Sequence, residues 1–221
     1  MNRSVLLTEL ARRITQIELS HPVRVAIDGV DAAGKTTLAD ELVPYLESMN
    51  RPVIRASIDG FHNPASVRHA RGKLSPQGYY LDSFNYNALL TFLLDPLGPD
   101  GTLKYKPAVF DYRTDASGAH EFSVADRNAV VLFDGVFLLR PELREYWDYT
   151  VFVDAAFQVT LRRAVHRDLS LFGTEEAVRQ RYEHRYVPGQ QIYLTQCNPR
   201  QAADAIVDNN DVAHPSIFFL R

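Results

Sequence analysis

The stretch Val23–Leu38, VRVAIDGVDAAGKTTL, decides how the chain is read. Val23, Val25, Ala26 and Ile27 make its opening strand-like, since Val and Ile favour a pleated backbone. Gly29, Gly34, Lys35 and Thr36 then fall at the spacing G-x-x-x-x-G-K-[ST]. A helical pattern opens at once with Thr36, Thr37, Leu38 and Ala39. Strand before and helix after is the context in which this spacing forms a phosphate-binding loop. The glycines let backbone N–H groups turn inward, and the helix N-terminus adds partial positive charge. Gly29, Asp31, Ala32, Ala33, Gly34, Lys35, Thr36 and Thr37 are therefore expected to hold a nucleoside triphosphate. Lys35 is expected to reach its β- and γ-phosphates, and the Thr36 hydroxyl to ligate Mg²⁺.

Outward from that loop, 221 residues suit a single α/β domain with excursions, and 46% hydrophobic residues can build a core. The net charge of −3 gives no reason to expect nucleic acid or an anionic membrane as partner. Cys197 is the only cysteine, which excludes an internal disulfide and suits a reducing compartment. The N-terminal twenty residues carry charges every few positions and read as an amphipathic helix, not a signal peptide or membrane span. A cytoplasmic protein with a small-molecule substrate is expected, and self-association into a homo-oligomer stays open.

Val5, Leu6, Leu10, Ile14 and Ile17 recur at helical spacing and stop before His21-Pro22. After the loop come a helix over 35–48, interrupted in pattern by Pro44, and a strand over 53–58 that delivers Asp59. Residues 60–83 show little periodicity, and an irregular stretch that long is usually functional. A helix is expected over 84–94, ending at the turn cluster 95–101. Residues 103–110 and 121–124 read as short strands of a hairpin-like excursion. The run Ala129-Val130-Val131-Leu132-Phe133-Asp134 reads as a strand buried inside a parallel sheet. A short helix over 141–147, a strand over 149–153, helices over 157–169 and 175–194, and strands at 205–207 and 217–220 complete the pattern. Alternation of strand and helix predicts a three-layer α/β/α fold of P-loop NTPase type around a mostly parallel sheet.

Three carboxylates stand just past strand ends, where ligands of such sheets bind. Asp134 ends the most apolar strand, in the Walker-B place, and is expected to help hold Mg²⁺. Asp59 is expected to accept or orient the proton of an attacking hydroxyl. Asp154 is expected to cap the next helix. On that helix Arg163 and Arg167 lie four apart and share a face, suited to the charge of a transferring phosphoryl group. Arg179, Arg181 and Arg185 read as structural or solvent-facing. Of seven histidines only His62 lies in a segment already suspected; the rest are expected at the surface or in satisfied core positions.

The ordered set GVDAAGKTT (29–37), SIDGFH (57–62), DSFNYNALL (82–90), FDYRTD (110–115), LFDGVFLL (132–139) and VFVDAAFQVTLRRAVHRD (151–168) resembles the uridine kinase/phosphoribulokinase family. It looks most like the uridine kinase-like members, over residues 23–208. The resemblance implies a Mg²⁺- and ATP-dependent kinase acting on a hydroxyl. Asp59 then matches the family's proposed base, Asp82 its ribose-binding Asp, Arg163 and Arg167 its lid arginines over 160–185, and Asp134 the Glu of its EGI motif. The excursions 60–83 and 103–125 are expected on the substrate side. His62, Tyr79, Tyr80, Tyr112 and Arg113 are expected to line the acceptor pocket.

The sequence also departs from that pattern. Uridine kinases usually read YDF-x-x-H where this chain has Phe110-Asp111-Tyr112-Arg113-Thr114-Asp115, so the pyrimidine-contacting Tyr and His are missing. The lid's R-G-R is Phe172-Gly173-Thr174, and Thr160 stands where an Arg is usual. Asp59-Gly60-Phe61 and Arg71-Gly72 are similar to bacterial pantothenate kinases instead. The expected acceptor is a nucleoside, with pantothenate or another hydroxylated metabolite as the alternative. A nucleotide-dependent regulator is a further reading; the chain lacks the N-K-x-D guanine signature, and Asp59 with Asp82 argues for an acceptor.

Overall fold

The structure, a computed structural model, describes residues 2–118 and 121–221. Ala119 and His120, within the 103–125 excursion, lie outside the described residues. The quoted stretch forms β1 (Val23–Gly29), buried along its whole length. It is flanked by parallel strands on both sides, which is why its apolar run shows no polar alternation. The sheet also contains β2 (Val53–Ser57), β3 (Val130–Gly135), β4 (Tyr149–Asp154), β5 (Ala205–Asp208) and β6 (Ser216–Phe219). Their order is β6-β5-β4-β1-β3-β2, and only β6 runs antiparallel to its neighbour.

Successive side chains point to opposite faces of a strand, and that alternation builds two separate cores. Ala26, Val131, Phe133 and Phe152 face one layer, with Phe61, Leu93 and Tyr193 against them. Val25, Ile27, Leu132 and Val151 face the other, covered by α1 (Arg3–Thr15) through Leu6, Leu10 and Ile14 and by α2 (Lys35–Ser48) through Leu38 and Leu42. The result is the three-layer arrangement expected. No helix among the described residues is long and apolar enough to cross a membrane.

Prolines shape the helices more than the sequence reading anticipated. Pro44 sits inside α2 without ending it. The helix expected over 84–94 starts as α-helix at Tyr86–Leu89 and widens into a π-turn at Leu90–Leu94. Pro96 has no N–H to donate to the Phe92 carbonyl, so that oxygen accepts from the Lys106 amide at 2.8 Å. The helix expected over 175–194 is likewise two α-helices, Glu175–Arg181 and Val187–Cys197, joined by a π-turn at Tyr182–Tyr186 just before Pro188.

The 60–83 stretch is not irregular. It holds a 3₁₀ turn at Ile58–Phe61, a helical turn at Ala65–Arg68 and a helix at Pro76–Asp82. Ser75 caps the last of these by accepting the Gly78 amide at 3.0 Å, and Pro76 takes the first helical position. The 103–125 excursion is a nested ribbon: Lys104–Tyr105 pairs with Ser123–Val124, and Phe110–Asp111 with Ala116–Ser117.

The Pro76–Asp82 helix packs so closely on the Val187–Cys197 helix that a Cβ on Gly189 would lie 2.8 Å from Tyr79 Cδ1 and 2.9 Å from the Pro76 carbonyl oxygen. Gly189→Ala should therefore destabilise the protein by about 1–3 kcal/mol through overpacking. A thermal or denaturant melt reads this directly, and an unchanged midpoint would mean the two helices separate freely.

Candidate active site

Gly34 adopts φ 99°, the left-handed cap from which α2 springs, and a side chain there would collide with the Asn209 amide. The loop thereby aims its amides and the α2 N-terminus at one point. Lys35 is buried and donates to the Val30 carbonyl at 2.8 Å. Burial lowers its pKa below the usual lysine range, while Asp31, Asp28 and Asp134 pull it back up. Asp31 is held from the side opposite α2. Its carboxylate accepts from the Tyr79 hydroxyl and the Gln190 amide, each at 2.7 Å, and its own N–H donates to Gln190 at 3.0 Å. It ties the loop to the two close-packed helices.

Asp134 meets the loop at the end of β3. The Thr36 hydroxyl donates to its Oδ2 at 2.6 Å, and the Arg55 guanidinium on β2 donates to its Oδ1 at 2.9 Å. Arg55 also bridges to Asp40 on α2 at 2.9 Å. Arg55 was not among the expected site residues; a lone cation on an otherwise apolar strand was the available signal. Among the described residues no group of three or more His, Cys, Asp or Glu gathers as a metal cage. One hydroxyl and one carboxylate beside a phosphate-binding loop fit Mg²⁺, which keeps waters and takes substrate phosphates as its other ligands. Asp134→Asn should raise the Mg²⁺ concentration needed for nucleotide binding about 10–100-fold. Titration of a fluorescent ATP analogue against Mg²⁺ measures it; an unchanged requirement would remove Asp134 from the metal site.

Asp59 stands on the 3₁₀ turn after β2, its N–H held by Ser57 Oγ at 3.3 Å. Its carboxylate opens onto a cleft whose walls still surround it. Loss of hydration there pushes its pKa up; His62 and Lys35 oppose the shift, and Asp31 and Asp134 add to it. His62 is pushed down, chiefly by burial, and its Nδ1 lies 3.0 Å from the Asp59 carbonyl oxygen, the acceptor. Its ring packs against Phe84 and Tyr112, at 4.6 and 4.9 Å between centroids.

Two clefts, of about 670 and 600 Å³, open on either side of the loop. The first is walled by Gly34, Thr37, Arg163 and Asn209, the second by Asp59, His62, Tyr112 and Arg113. Lys35, Thr36 and Arg167 belong to both. Arg163 and Arg167 lie on the helix Phe157–Phe172. Arg163 donates to the Asn209 and Asn210 carbonyls at 2.7 and 3.0 Å. Arg167 is held by Asp168 at 2.7 and 3.0 Å, with Tyr182 at 2.9 Å.

Several expectations are corrected. Asp82 does not line the acceptor cleft; it pairs with Arg71 at 2.8 Å, at the end of its helix. Tyr80 is buried on the far side, its hydroxyl 3.4 Å from Cys197 Sγ and its ring under Arg140. Helical periodicity turned this tyrosine away while its neighbour Tyr79 reached the cleft. Asp154 does not cap a helix: the cap residue is Ala156, and Asp154 accepts from Arg200.

Other site-shaping residues were not anticipated. Asp28, wholly buried, accepts from the Tyr193 hydroxyl, and burial pushes its pKa up. Phe137 has φ 67°, a strained state for a bulky residue, and its ring packs on Tyr79, Tyr80, Phe84 and Tyr193. Asn209 donates to the Ala33 carbonyl at 2.7 Å and so braces the loop from β5. Its place just after a parallel strand was a readable signal.

The family model described as Phosphoribulokinase / Uridine kinase matches residues 25–213. A pantothenate kinase of Rhodopseudomonas palustris (strain HaA2) is 28% identical over 185 residues, 78% of this chain and 57% of that protein. The chain thus spans little more than half the length of that relative. Uridine-cytidine kinase B of Dictyostelium discoideum is 28% identical over 189 residues, 85% of this chain and 74% of that protein. A solved structure described as a possible uridine kinase from Bacillus stearothermophilus shares the fold with a TM-score of 0.71 at 21% identity, covering 90% of this chain and 96% of that one.

Proposed function

Because the chain belongs to the Phosphoribulokinase / Uridine kinase family, we propose that it moves the γ-phosphate of ATP to a hydroxyl of a small metabolite. The observation that carries this reading is the pair of clefts joined only at Lys35, Thr36 and Arg167. One cleft takes the donor, the other the acceptor, and the shared residues surround the phosphoryl group between them. The names of the relatives bring nucleosides and pantothenate as the acceptor classes to test.

In this mechanism the loop amides and Lys35 hold the triphosphate, and Lys35 with Arg167 offsets charge on the equatorial oxygens during transfer. Thr36 and Asp134 would hold Mg²⁺, which when bound neutralises charge on the β- and γ-phosphates. Asp59 orients the acceptor hydroxyl and takes its proton as the new O–P bond forms and the bond to ADP breaks. Arg163 lines the donor cleft and steadies the 209–210 turn there. The chain acts as a single kinase domain, with the 60–83 and 103–125 excursions walling the acceptor side and 160–185 serving as lid.

The test is Mg²⁺-ATP turnover against a panel of nucleosides, pantothenate and sugars, with each product identified. An acceptor-dependent phosphorylated product is expected. ATP hydrolysis stimulated by a protein partner and by no metabolite would replace this reading with that of a nucleotide-dependent regulator.

A further inference from the structure

The acceptor cleft has a second polar pole besides Asp59, formed by Arg68 and Arg113. The two cations differ in what they have left to give. Arg68 is committed: it donates to the Asn63 carbonyl at 2.7 Å and to Asp115 at 2.9 Å. Arg113 belongs to the same small ribbon, Phe110–Asp111 against Ala116–Ser117. Its backbone is pinned, the N–H donating to Asp111 Oδ1 at 2.9 Å. Its guanidinium lies 5.8 Å from the centre of the Tyr112 ring, and no carboxylate of the described residues pairs with it. Of the acids near it, Asp115 is taken by Arg68, while Asp111 and Asp59 act on it through space without an ion pair. The ribbon therefore presents to the cleft an exposed cation that forms no ion pair among the described residues.

The aromatic side chains of that wall are engaged with one another. His62 packs on both Phe84 and Tyr112, and Phe84 also meets Phe137 and Tyr86. A flat base seeking a stacking partner meets rings already in contact, whereas an oxyanion meets a planar guanidinium fork that matches it in charge and shape.

We infer that the acceptor carries an anionic group, a carboxylate or a phosphate ester, which pairs with Arg113 while Asp59 aims its hydroxyl. The inference rests on the kinase reading above and narrows its substrate class. The reaction is unchanged: the hydroxyl oxygen bonds to the γ-phosphorus, the bond to ADP breaks, and the proton passes to Asp59. Arg113 takes part only in binding and in setting the distance between the anion and the hydroxyl.

The experiment compares acceptors that differ only in the anion. D-glycerate, glycerol 3-phosphate and glycerol form one set, pantothenate and pantothenol a second, and uridine stands as the uncharged nucleoside. Values of kcat/KM with Mg²⁺-ATP are measured for wild type, Arg113→Ala and Arg113→Lys. At least one anionic acceptor should exceed its uncharged counterpart about tenfold or more. That ratio should collapse in Arg113→Ala and return in part in Arg113→Lys. The glycerate and glycerol 3-phosphate arms separate carboxylate from phosphate ester.

If uridine or an uncharged counterpart equals the anionic acceptors, the inference falls and the kinase reading stands. An anion preference unmoved by Arg113→Ala also overturns it, because the recognising cation then lies elsewhere. If nothing is phosphorylated, thermal stabilisation of the Mg²⁺-ADP-bound protein is read with the same pairs. No preference for the anion there overturns the inference, and ATP turnover indifferent to every acceptor counts against the kinase reading itself.

Discussion

Lys35→Ala lowers kcat/KM by about a thousandfold or more, to the background of the assay. The expectation follows from where the ammonium sits. It is buried beneath the loop and donates to a loop carbonyl, with Asp28, Asp31 and Asp134 as its acidic neighbours. Those acids supply no positive charge for the phosphoryl group, and Arg167, the other cation common to both clefts, is tied to Asp168 and Tyr182. Removing Lys35 takes away one of the two cations that line both clefts, while Asp31 and Asp134 still line the second. Lys35→Met, which keeps the apolar stem, separates loss of charge from loss of packing. Initial rates alongside a thermal melt check the point. A folded Lys35→Met protein retaining a tenth of the wild-type rate would take this lysine out of the transition state.

The second large effect is at Asp59. Asp59→Asn keeps the shape of the turn but cannot take the proton, so kcat should fall by about 10²–10⁴ while ATP affinity changes little. The pH profile gives a sharper reading. Loss of hydration and the nearby Asp31 and Asp134 raise the Asp59 pKa above the ordinary value of 3.8. The ionised form is the active one, so kcat/KM should fall as pH drops through that raised pKa. The acid limb should therefore lie above the ordinary carboxylate position and vanish in Asp59→Asn. His62, pushed below 6.5, stays uncharged at neutral pH and keeps its partnership with the turn carbonyl. An acid limb that persists in Asp59→Asn would assign the ionisation to another group.

The parts of this architecture that were legible in the sequence are those with strong periodicity. The runs Val23–Ile27 and Ala129–Asp134 announced the two central strands because parallel strands are apolar on both faces. The loop spacing placed Lys35 and Thr36, and the strand end placed Asp134 beside them. Short elements were not legible: the Pro76–Asp82 helix has seven residues, too few for a periodic pattern, although Ser75-Pro76 marked its start. Long-range pairings were less so. Nothing local distinguishes Asp82, bound by Arg71, from a carboxylate free to meet a ligand. Tyr79 and Tyr80 are adjacent and alike in type, and only the rotation of their helix sends one to Asp31 and the other to Cys197.

The nested ribbon over 103–125 is tied to the rest of the molecule by the Val109 amide to the Gly60 carbonyl, the Lys106 amide to Phe92 and the Leu103 amide to Pro96, and its Tyr105 and Val109 pack on the core. Its own pairing is local, two residues against two, and none of its strands joins the central sheet. In the proposed reading the ribbon brings Tyr112 and Arg113 to the acceptor side, while the donor grip is built on the loop that follows the buried strand β1.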